Sequence, residues 1–309
     1  MRTSQLSDPG PQTRDLWTKN GAGWRFPGRL RRFLRKPLKE KYLTLALRAQ
    51  RSFPNMPLPL RLGYGAWWLA ENSALDEKLL HEGFEAAELK IVETLLRPGM
   101  TVVDAGAHHG FYTVLASKRV GRSGRVIAFE PSPRECTRLL RHIRLNRCKN
   151  VVVKSCALGE QDDETDLFIV EGREDWCNSL RPPAVNANIA TQRVAVRRAD
   201  DILLALRIGH VDFFKVDVEG AELSLLRGAS RILRDWRPII LAEVQDVRTA
   251  RWGYAAQEIL EFLRGHSYRW FQITARGKLQ PVPTDLVHYD ANLMALPEER
   301  LHGFQALFA

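Results

Sequence analysis

The chain has 309 residues, with 46 lysines and arginines against 36 acids and a net charge of +10 at pH 7. Its hydrophobic share of 45% and charged share of 27% are typical of a globular protein. No run approaches the roughly 18 continuous apolar residues of a membrane-spanning helix, and the polar N-terminus lacks the apolar core of a secretory signal. Four cysteines without CxxC spacing indicate reduced thiols and argue against a zinc site. Composition therefore predicts a cytoplasmic protein.

The positive charge is concentrated near the N-terminus. Residues 25–51 contain ten lysines and arginines but one acid, and residues 1–24 are rich in Gly, Pro, Ser and Thr. The pattern predicts a disordered stretch up to residue 24, a basic helical extension and linker over 25–82, and one domain over 83–309, with 52–60 as extended linker. A basic extension without a nucleic-acid recognition motif favours contact with an anionic membrane surface over nucleic acid. A solvated helix beside the domain is the alternative.

Strands alternate with helices along the predicted domain. The strand candidates are TVVDA (101–105), RVIAFE (125–130), VVVKSCAL (151–158), VDFFKVDV (211–218) and PIILAEV (238–244). Helical patterns lie between them at 110–120, 132–147, 200–208, 219–235 and 254–265. This alternation predicts an α/β fold with parallel strands and right-handed crossovers. Segments 268–273 and 292–296 predict an antiparallel hairpin at the sheet edge, and 160–198 predicts an insertion that contains strands.

The turn DAGAHHG, residues 104–110, joins the first strand to a helix. Gly106 permits a sharp turn and Gly110 permits close helix packing, while the N–H groups at the helix start suit an anionic group. Glu130 ends the second strand, where a carboxylate accepts hydrogen bonds from ribose hydroxyls. Because Asp104 favours a positively charged ligand over a pyrophosphate, the two acids fit S-adenosylmethionine (SAM) better than NAD. An NAD-dependent oxidoreductase is the enzyme alternative.

The strand VDFFKVDV and the turn after it contain the candidate catalytic groups. Lys215 and Asp217 share one face because side chains alternate along a strand, and the apolar strand predicts that Asp217 pairs with the lysine. Asp217, Glu219 and His109 are candidates for the base that removes a proton from an acceptor hydroxyl. Asp217, Glu219 and Glu243 at adjacent strand ends could instead hold Mg²⁺. Nothing in the spacing demands a metal, and none is predicted.

Four blocks in order resemble the FkbM-like SAM-dependent methyltransferases over roughly Phe84 to Leu296. The blocks are FEAAELKIVETLLRPGMTVVDAGAHHGFYTVLA, GRVIAFEPSPRECTRLLRHIRLN with NVVVKSCALGE, FFKVDVEGAELSLLRGA, and NLMALP. The resemblance implies a Rossmann-like class I methyltransferase fold. That fold is a seven-stranded, mostly parallel sheet with an antiparallel edge strand and helices on both faces. It also implies SAM as cofactor and O-methylation of a hydroxyl on a sugar, glycolipid or natural product.

The residues singled out from the sequence, together with those that the resemblance implies, make up the predicted site. The predicted cofactor-binding residues are Glu85, Asp104, Gly106, Ala107, His108, Gly110, Glu130, Pro131, Cys156 and Ala157. The predicted catalytic residues are His109, Lys215, Asp217 and Glu219. At His108 the chain departs from the family's GANxG turn, since a histidine replaces the asparagine. Two further expectations are a peripheral position at the inner membrane face and, as the alternative function, a non-catalytic scaffold that binds SAM or a nucleotide.

Overall fold

A computed structural model describes residues 18–20, 23–25, 41, 45, 56–71, 73–81, 84–172, 177–283 and 286–309. The chain divides into two compact units, Met1–Met56 and Pro57–Ala309. In the first unit, strands β1 (Thr18–Asn20) and β2 (Gly23–Arg25) pair antiparallel. The predictions of disorder before residue 25 and of a basic helix over 25–51 otherwise lie largely outside the described residues.

The larger unit contains a central eight-stranded sheet. Its strands are β5 (Thr101–Ala105), β6 (Arg125–Phe129), β7 (Val151–Lys154), β11 (Phe213–Val216), β12 (Ile239–Gln245), β13 (Tyr268–Ile273), β14 (Leu279–Pro281) and β15 (Asp290–Pro297). Their order in the sheet is β14-β13-β15-β12-β11-β5-β6-β7. Strands β12, β11, β5, β6 and β7 pair in parallel. The predicted α/β class and its parallel half are thus confirmed.

The antiparallel part of the sheet differs from the prediction in two ways. The predicted pairing of 268–273 with 292–296 is present as the antiparallel pair of β13 and β15. The sheet nevertheless has eight strands rather than seven, and β15 lies inside it, between β12 and β13, while β14 forms the antiparallel edge. The added edge strand β14 pairs with β13 and contains the buried Leu279. It was missed because it is only three residues long and ends at Pro281, which reads as a connection.

Helices cover both faces of this sheet. They are α1 (Ala74–His81), α2 (Ala86–Leu95), α3 (Phe111–Val120), α4 (Pro133–Leu145), α5 (Ala199–Ala205), α6 (Glu222–Arg227), α7 (Asp246–Thr249) and α8 (Gln257–Gly265). On one face, Leu203, Leu226 and Leu263 from three helices join the buried cluster of Val103 and Phe214. The opposite face packs Ala128 against Leu139 of α4. None of the helices in the described part of the chain combines the length and hydropathy needed to span a bilayer.

A second, smaller sheet follows β7. The chain bends at 155–156, and the predicted strand 151–158 therefore contributes to two sheets: β7, and β8 (Ala157–Leu158). β8 pairs parallel with β10 (Ile189–Arg197), which pairs antiparallel with β9 (Asp163–Val170). The strands expected within the insertion are thus present.

The larger unit also includes residues that the sequence assigns to the extension. Strands β3 (Leu58–Arg61) and β4 (Trp67–Ala70) form an antiparallel hairpin, which helix α1 follows. Leu58 and Leu60 are buried on one side of β3, with Pro59 between them and Pro57 before them in the sequence. An edge hairpin accommodates proline because one side of each edge strand needs no ladder hydrogen bonds. The compact unit therefore begins at Pro57 rather than at residue 83.

Candidate cofactor and active site

A cleft of about 690 Å³ lies at the carboxyl ends of the parallel strands. Open α/β sheets bind ligands at this end because the first turns and helix N-termini converge there. Every residue predicted for the site lines this cleft except Gly110.

Two glycines shape the first turn. Gly106 has a φ of +79°, and an added Cβ would lie 1.6 Å from the carbonyl oxygen of Asp217. Only glycine therefore lets β5 and the turn after β11 approach this closely. At Gly110, with φ +90°, an added Cβ would lie 2.5 Å from Cδ1 of Leu139. Gly110 thus permits the close packing of helix α4, and it is not among the residues that line the cleft.

Asp104 and Lys215 are direct neighbours on the paired strands β5 and β11. Asp104 is 1% exposed and its Oδ2 accepts a hydrogen bond from the Thr113 hydroxyl at 2.5 Å. Its Oδ1 is buried without a hydrogen-bond partner among the described residues. Burial raises the pKa of Asp104, although Lys215 opposes this. A buried acceptor that lines a cleft and lacks a donor is suited to a cationic ligand group.

Lys215 is 4% exposed and donates to Oδ2 of Asp217 at 2.6 Å, so the predicted pairing of these two residues is present. Its ammonium also lies 4.8 Å from the ring centroid of Tyr112. Burial alone would lower the pKa of Lys215, but the carboxylates of Asp217 and Asp104 outweigh it and raise the pKa. The lysine therefore stays charged and holds the surrounding carboxylates in place.

Glu130 sits at the tip of β6 and is held by two backbone donors. The N–H of His108 donates to its Oε2 at 2.7 Å and the N–H of Ser132 donates to its Oε1 at 2.9 Å. Burial raises the pKa of Glu130 to about 8, although these donors oppose the shift. A carboxylate oxygen has capacity for more than one donor. Glu130 can therefore accept further hydrogen bonds from ligand hydroxyls while it orients the turn.

The two histidines of the turn stack on each other, with ring centroids 3.7 Å apart. His108 has a positive φ of 49°. Nε2 of His109 lies 2.9 Å from Nη1 of Arg138, and a guanidinium can only donate, so this nitrogen is an acceptor. Burial lowers the pKa of His109 well below its usual value. The predicted role of His109 as a catalytic base does not fit, because Arg138 occupies the lone pair that a base would use.

The far end of the cleft is acidic. Oxygens of Asp217, Glu219 and Glu243 lie within 4.8 Å of one another, and Arg248 pairs with Glu219 at 2.9 Å. Burial raises the pKa of Glu219 to about 8, against the lowering effect of Arg248. Burial and the neighbouring Asp217 raise the pKa of Glu243 well above its ordinary value. Oε2 of Glu243 is buried without a hydrogen-bond partner in the described part of the chain.

Glu85 joins the acid cluster to two residues that the sequence alone did not indicate. The Tyr112 hydroxyl donates to Oε2 of Glu85, and the Asn292 side chain donates to Oε1 at 3.2 Å. Burial raises the pKa of Glu85, while Lys215 opposes the shift. Tyr112 and Asn292 are separated from Glu85 by 27 and 207 residues. The sequence predicts Glu243 only as a possible metal ligand, although its place at the end of a parallel strand is a signal for a site residue.

Among the described residues, two groups of side chains have the composition of a metal site. The first consists of His108, His109 and Glu135, but Arg138 directs its positive charge at the His109 nitrogen. The second consists of the three acids Asp217, Glu219 and Glu243. Lys215 and Arg248 already supply positive charge to two of those acids. Neither arrangement by itself calls for an ion.

Known proteins with similar sequences are methyltransferases. "Methyltransferase 1" of Beauveria bassiana is 31% identical over 143 residues, which cover 41% of this chain and 57% of that protein. The ribosomal RNA large subunit methyltransferase E of Thiobacillus denitrificans is 37% identical over 83 residues, covering 24% of this chain and 38% of that protein. The chain thus spans little more than half of the first relative's length and less of the second.

Among solved structures, a crystal structure of the methyltransferase FkbM from Methylobacillus flagellatus superimposes with a TM-score of 0.41 and 18% identity. The superposition covers 72% of this chain and 52% of that one. The profile of the methyltransferase FkbM domain matches residues 104–270, from the aspartate of the first turn into strand β13. Because that match covers more than half of the 309 residues, the chain belongs to the methyltransferase FkbM domain family.

Proposed function

We propose that the protein is a SAM-dependent methyltransferase that binds its cofactor in this cleft. The observation that carries the proposal is the buried Oδ1 of Asp104, which has no hydrogen-bond partner among the described residues and belongs to a residue that lines the same cleft as Glu130. The first suits the ammonium of the cofactor and the second suits its ribose hydroxyls. Ala107, His108 and His109 fill the place where a dinucleotide site needs a small glycine. These contacts favour SAM over NAD.

The chain's own residues would hold the cofactor along one side of the cleft. Asp104, Glu130 and the turn from Gly106 bind and orient it, with Pro131, Cys156 and Ala157 lining the adjoining wall. Bound SAM supplies an electrophilic methyl group. Lys215 holds the side chain of Asp217 in place through their hydrogen bond of 2.6 Å. Asp217 and Glu219 then stand at the acceptor end, where a carboxylate can take the proton of a hydroxyl.

The acceptor is proposed to be a hydroxyl of a sugar, a glycolipid or a related natural product. The acids that line the cleft outnumber its two lysines, and they are Glu85, Glu88, Asp104, Glu130, Asp217, Glu219, Glu243 and Asp290. Amides and a hydroxyl line the same cleft through Asn178, Ser179, Gln245 and Asn292. This lining offers many hydrogen bonds to a neutral polyhydroxylated molecule but repels phosphates. RNA is therefore the less favoured acceptor for this chain, although the name of one relative indicates ribosomal RNA as the substrate of that protein.

A transfer assay tests the proposed function. The full chain is incubated with methyl-labelled SAM and, separately, with neutral glycans, glycolipid extract and ribosomal RNA. We expect label in the glycan or glycolipid fraction, in a product stable to mild base as an ether is. Label only in RNA would overturn the acceptor class. Tight SAM binding without transfer to any fraction would favour the non-catalytic scaffold.

Glu219 is expected to act as the base, and the pH dependence of transfer follows from its pKa. With a pKa of about 8, Glu219 is protonated and inactive at lower pH, so kcat should rise as pH increases through that value. The variant Glu219→Gln should lose roughly 100-fold in kcat and lose this rise. Glu160→Gln, at an exposed acid, is the matched control. A Glu219→Gln variant with the wild-type pH profile would reassign the base to Asp217.

Transfer is proposed to need no divalent metal. Lys215 lies 2.6 Å from Asp217 and Arg248 lies 2.9 Å from Glu219, so two cationic side chains already balance the acid cluster. Dialysis against EDTA is therefore expected to leave the transfer rate unchanged. A rate that falls on dialysis and returns with Mg²⁺ would instead assign the cluster of three acids to a metal.

The basic N-terminal stretch is proposed to attach the protein reversibly to anionic membranes. Residues 25–51 contain ten basic side chains against one acid, and each one near an anionic surface contributes about 1 kcal/mol. The double variant Arg31→Glu with Arg32→Glu should float less with phosphatidylserine vesicles than the wild type. Arg264→Glu with Arg276→Glu makes the same charge change elsewhere and should float normally. Equal flotation of the two double variants would contradict attachment through this stretch. So would a wild type that floats with neutral vesicles as well as with phosphatidylserine vesicles.

A further inference from the structure

We propose that residues 57–81, which form the hairpin of β3 and β4 and helix α1, belong functionally to the cofactor site. They would hold the cofactor turn in its binding geometry through His142, a positioning residue that lies outside the cleft. This inference rests on the proposed function, because the turn concerned is the one assigned to SAM. It concerns a segment that precedes the matched methyltransferase domain, residues 104–270.

His142 connects the hairpin to the turn by a hydrogen bond at each ring nitrogen. Its Nδ1–H donates to the carbonyl oxygen of His109 at 2.7 Å, and its Nε2 accepts from the backbone N–H of Leu69 at 3.1 Å. These partners require the neutral tautomer with the proton on Nδ1. The residue is 2% exposed. One buried imidazole therefore bridges the backbone of β4 and the backbone of the cofactor turn.

Trp68 fixes the orientation of that imidazole. The rings of Trp68 and His142 stack with centroids 3.8 Å apart and planes 16° from parallel. The indole Nε1–H donates to Oδ1 of Asp76 at 2.7 Å, and Oδ2 of Asp76 accepts the backbone N–H groups of Glu71 and Ser73. Trp68 and Asp76 are both buried and are hydrogen-bonded to each other. Helix α1 and the hairpin therefore keep the ring of His142 in a single orientation.

Tyr64 supplies a second, independent tie to the start of helix α3. Its hydroxyl donates to the carbonyl oxygen of Phe111 at 3.0 Å, and the two rings meet edge to face at 5.6 Å. Phe111 also packs edge to face on Trp68. The segment thus holds the carbonyl groups of residues 109 and 111, on either side of Gly110, where the turn becomes a helix.

Arg138 adds a third tie through a side chain of the turn. It pairs with Glu71 at 3.0 Å and contacts Nε2 of His109 at 2.9 Å. His109 stacks on His108, whose backbone N–H in turn donates to Glu130. A continuous set of contacts therefore runs from the hairpin to the carboxylate proposed to bind ribose.

The histidine pair explains why this turn needs external support. His108 occupies a left-handed backbone conformation, with φ 49°, that non-glycine residues adopt at a cost. The pair of His108 and His109 also places two bulky rings in a turn that must leave room for a ligand. The turn therefore keeps this conformation only if contacts from outside the turn stabilise it.

Calorimetric titration of the full chain with S-adenosylhomocysteine tests this inference. His142→Phe keeps a ring against Trp68 but removes both hydrogen bonds, and we expect Kd to rise about 10-fold. His142→Gln restores a donor and an acceptor, so its Kd should lie within about threefold of wild type. Tyr64→Phe, a mild change, should raise Kd by a smaller factor. Hydrogen exchange of residues 106–113 should be faster in His142→Phe than in wild type.

Two controls separate positioning from general destabilisation. Leu263→Ala removes a buried side chain of α8 from the core on the other face of the sheet and should lower Tm without changing Kd. His302→Phe changes an exposed histidine and should change neither quantity. An unchanged Kd in His142→Phe would overturn the inference. A rise in Kd for Leu263→Ala as large as that for His142→Phe, at the same loss of Tm, would overturn it as well. Failure of the wild type to bind at all would overturn the proposed function together with it.

Discussion

Replacing Asp104 with asparagine is expected to weaken the binding of SAM about 100-fold, or roughly 2.8 kcal/mol. The Thr113 hydroxyl can still donate to the amide oxygen, so the local packing is kept. The amide nitrogen then takes the position of Oδ1, the buried atom for which the described part of the chain supplies no donor. A donor replaces an acceptor there and would face the ammonium of the ligand. Calorimetric titration measures the change, with the exposed Asp201→Asn as control.

Methylthioadenosine distinguishes this role from a general disturbance of the cleft. It keeps the ribose of SAM but lacks the amino-acid portion, so Asp104→Asn should change its affinity little. Glu130→Gln should weaken both ligands, because the carboxylate is proposed to accept from the ribose that both contain. If Asp104→Asn weakens both ligands equally, the ammonium is not the partner of this carboxylate.

Replacing Lys215 with methionine is expected to lower the free energy of unfolding by about 3–5 kcal/mol. The substitution removes the cation that balances the buried carboxylate of Asp104 and the half-buried carboxylates of Asp217 and Glu85. For a domain of this size the loss corresponds to a fall in Tm on the order of 10 °C. Thermal unfolding followed by circular dichroism measures it. Lys149→Met, at an exposed position, is the matched control.

The pH dependence of this loss follows from the acids that remain. Burial already raises the pKa of Asp104 and of Glu85, and Lys215 opposes the shift in both. Without the lysine their pKa values rise further, and protonation removes the unpaired charges as pH falls. The deficit of Lys215→Met relative to wild type should therefore be smaller in acid than at neutral pH. A deficit that grows on acidification would show that the lysine does not balance these acids.

Local patterns were sufficient to predict the parallel half of the sheet and the partner of its buried lysine. The period of two along VDFFKVDV places Lys215 and Asp217 on one face, and the structure joins them at 2.6 Å. The glycine turn and Glu130 follow apolar strands, so parallel packing brings them to one edge. Each of these inferences depends on neighbours in sequence and on the rule that parallel strands end together.

Contacts between distant segments could not be predicted in this way. Asn292 donates to Glu85 across 207 residues, and no local pattern relates them. The hairpin of β3 and β4 contains prolines and two short strands, so it reads as a linker. His142 looks like one more polar residue of an arginine-rich helix until the fold places Trp68 against it. The role of the histidine pair therefore depends on a segment whose structure the sequence did not indicate.

Calorimetric titration of the wild-type full chain with SAM, and separately with NADH, tests the central claim most directly. The buried acceptor of Asp104 and the carboxylate of Glu130 in one cleft predict saturable binding of SAM and no binding of NADH. The same titration of Glu130→Gln should give weaker binding of SAM. Binding of NADH without binding of SAM would contradict the account and support a dinucleotide enzyme instead.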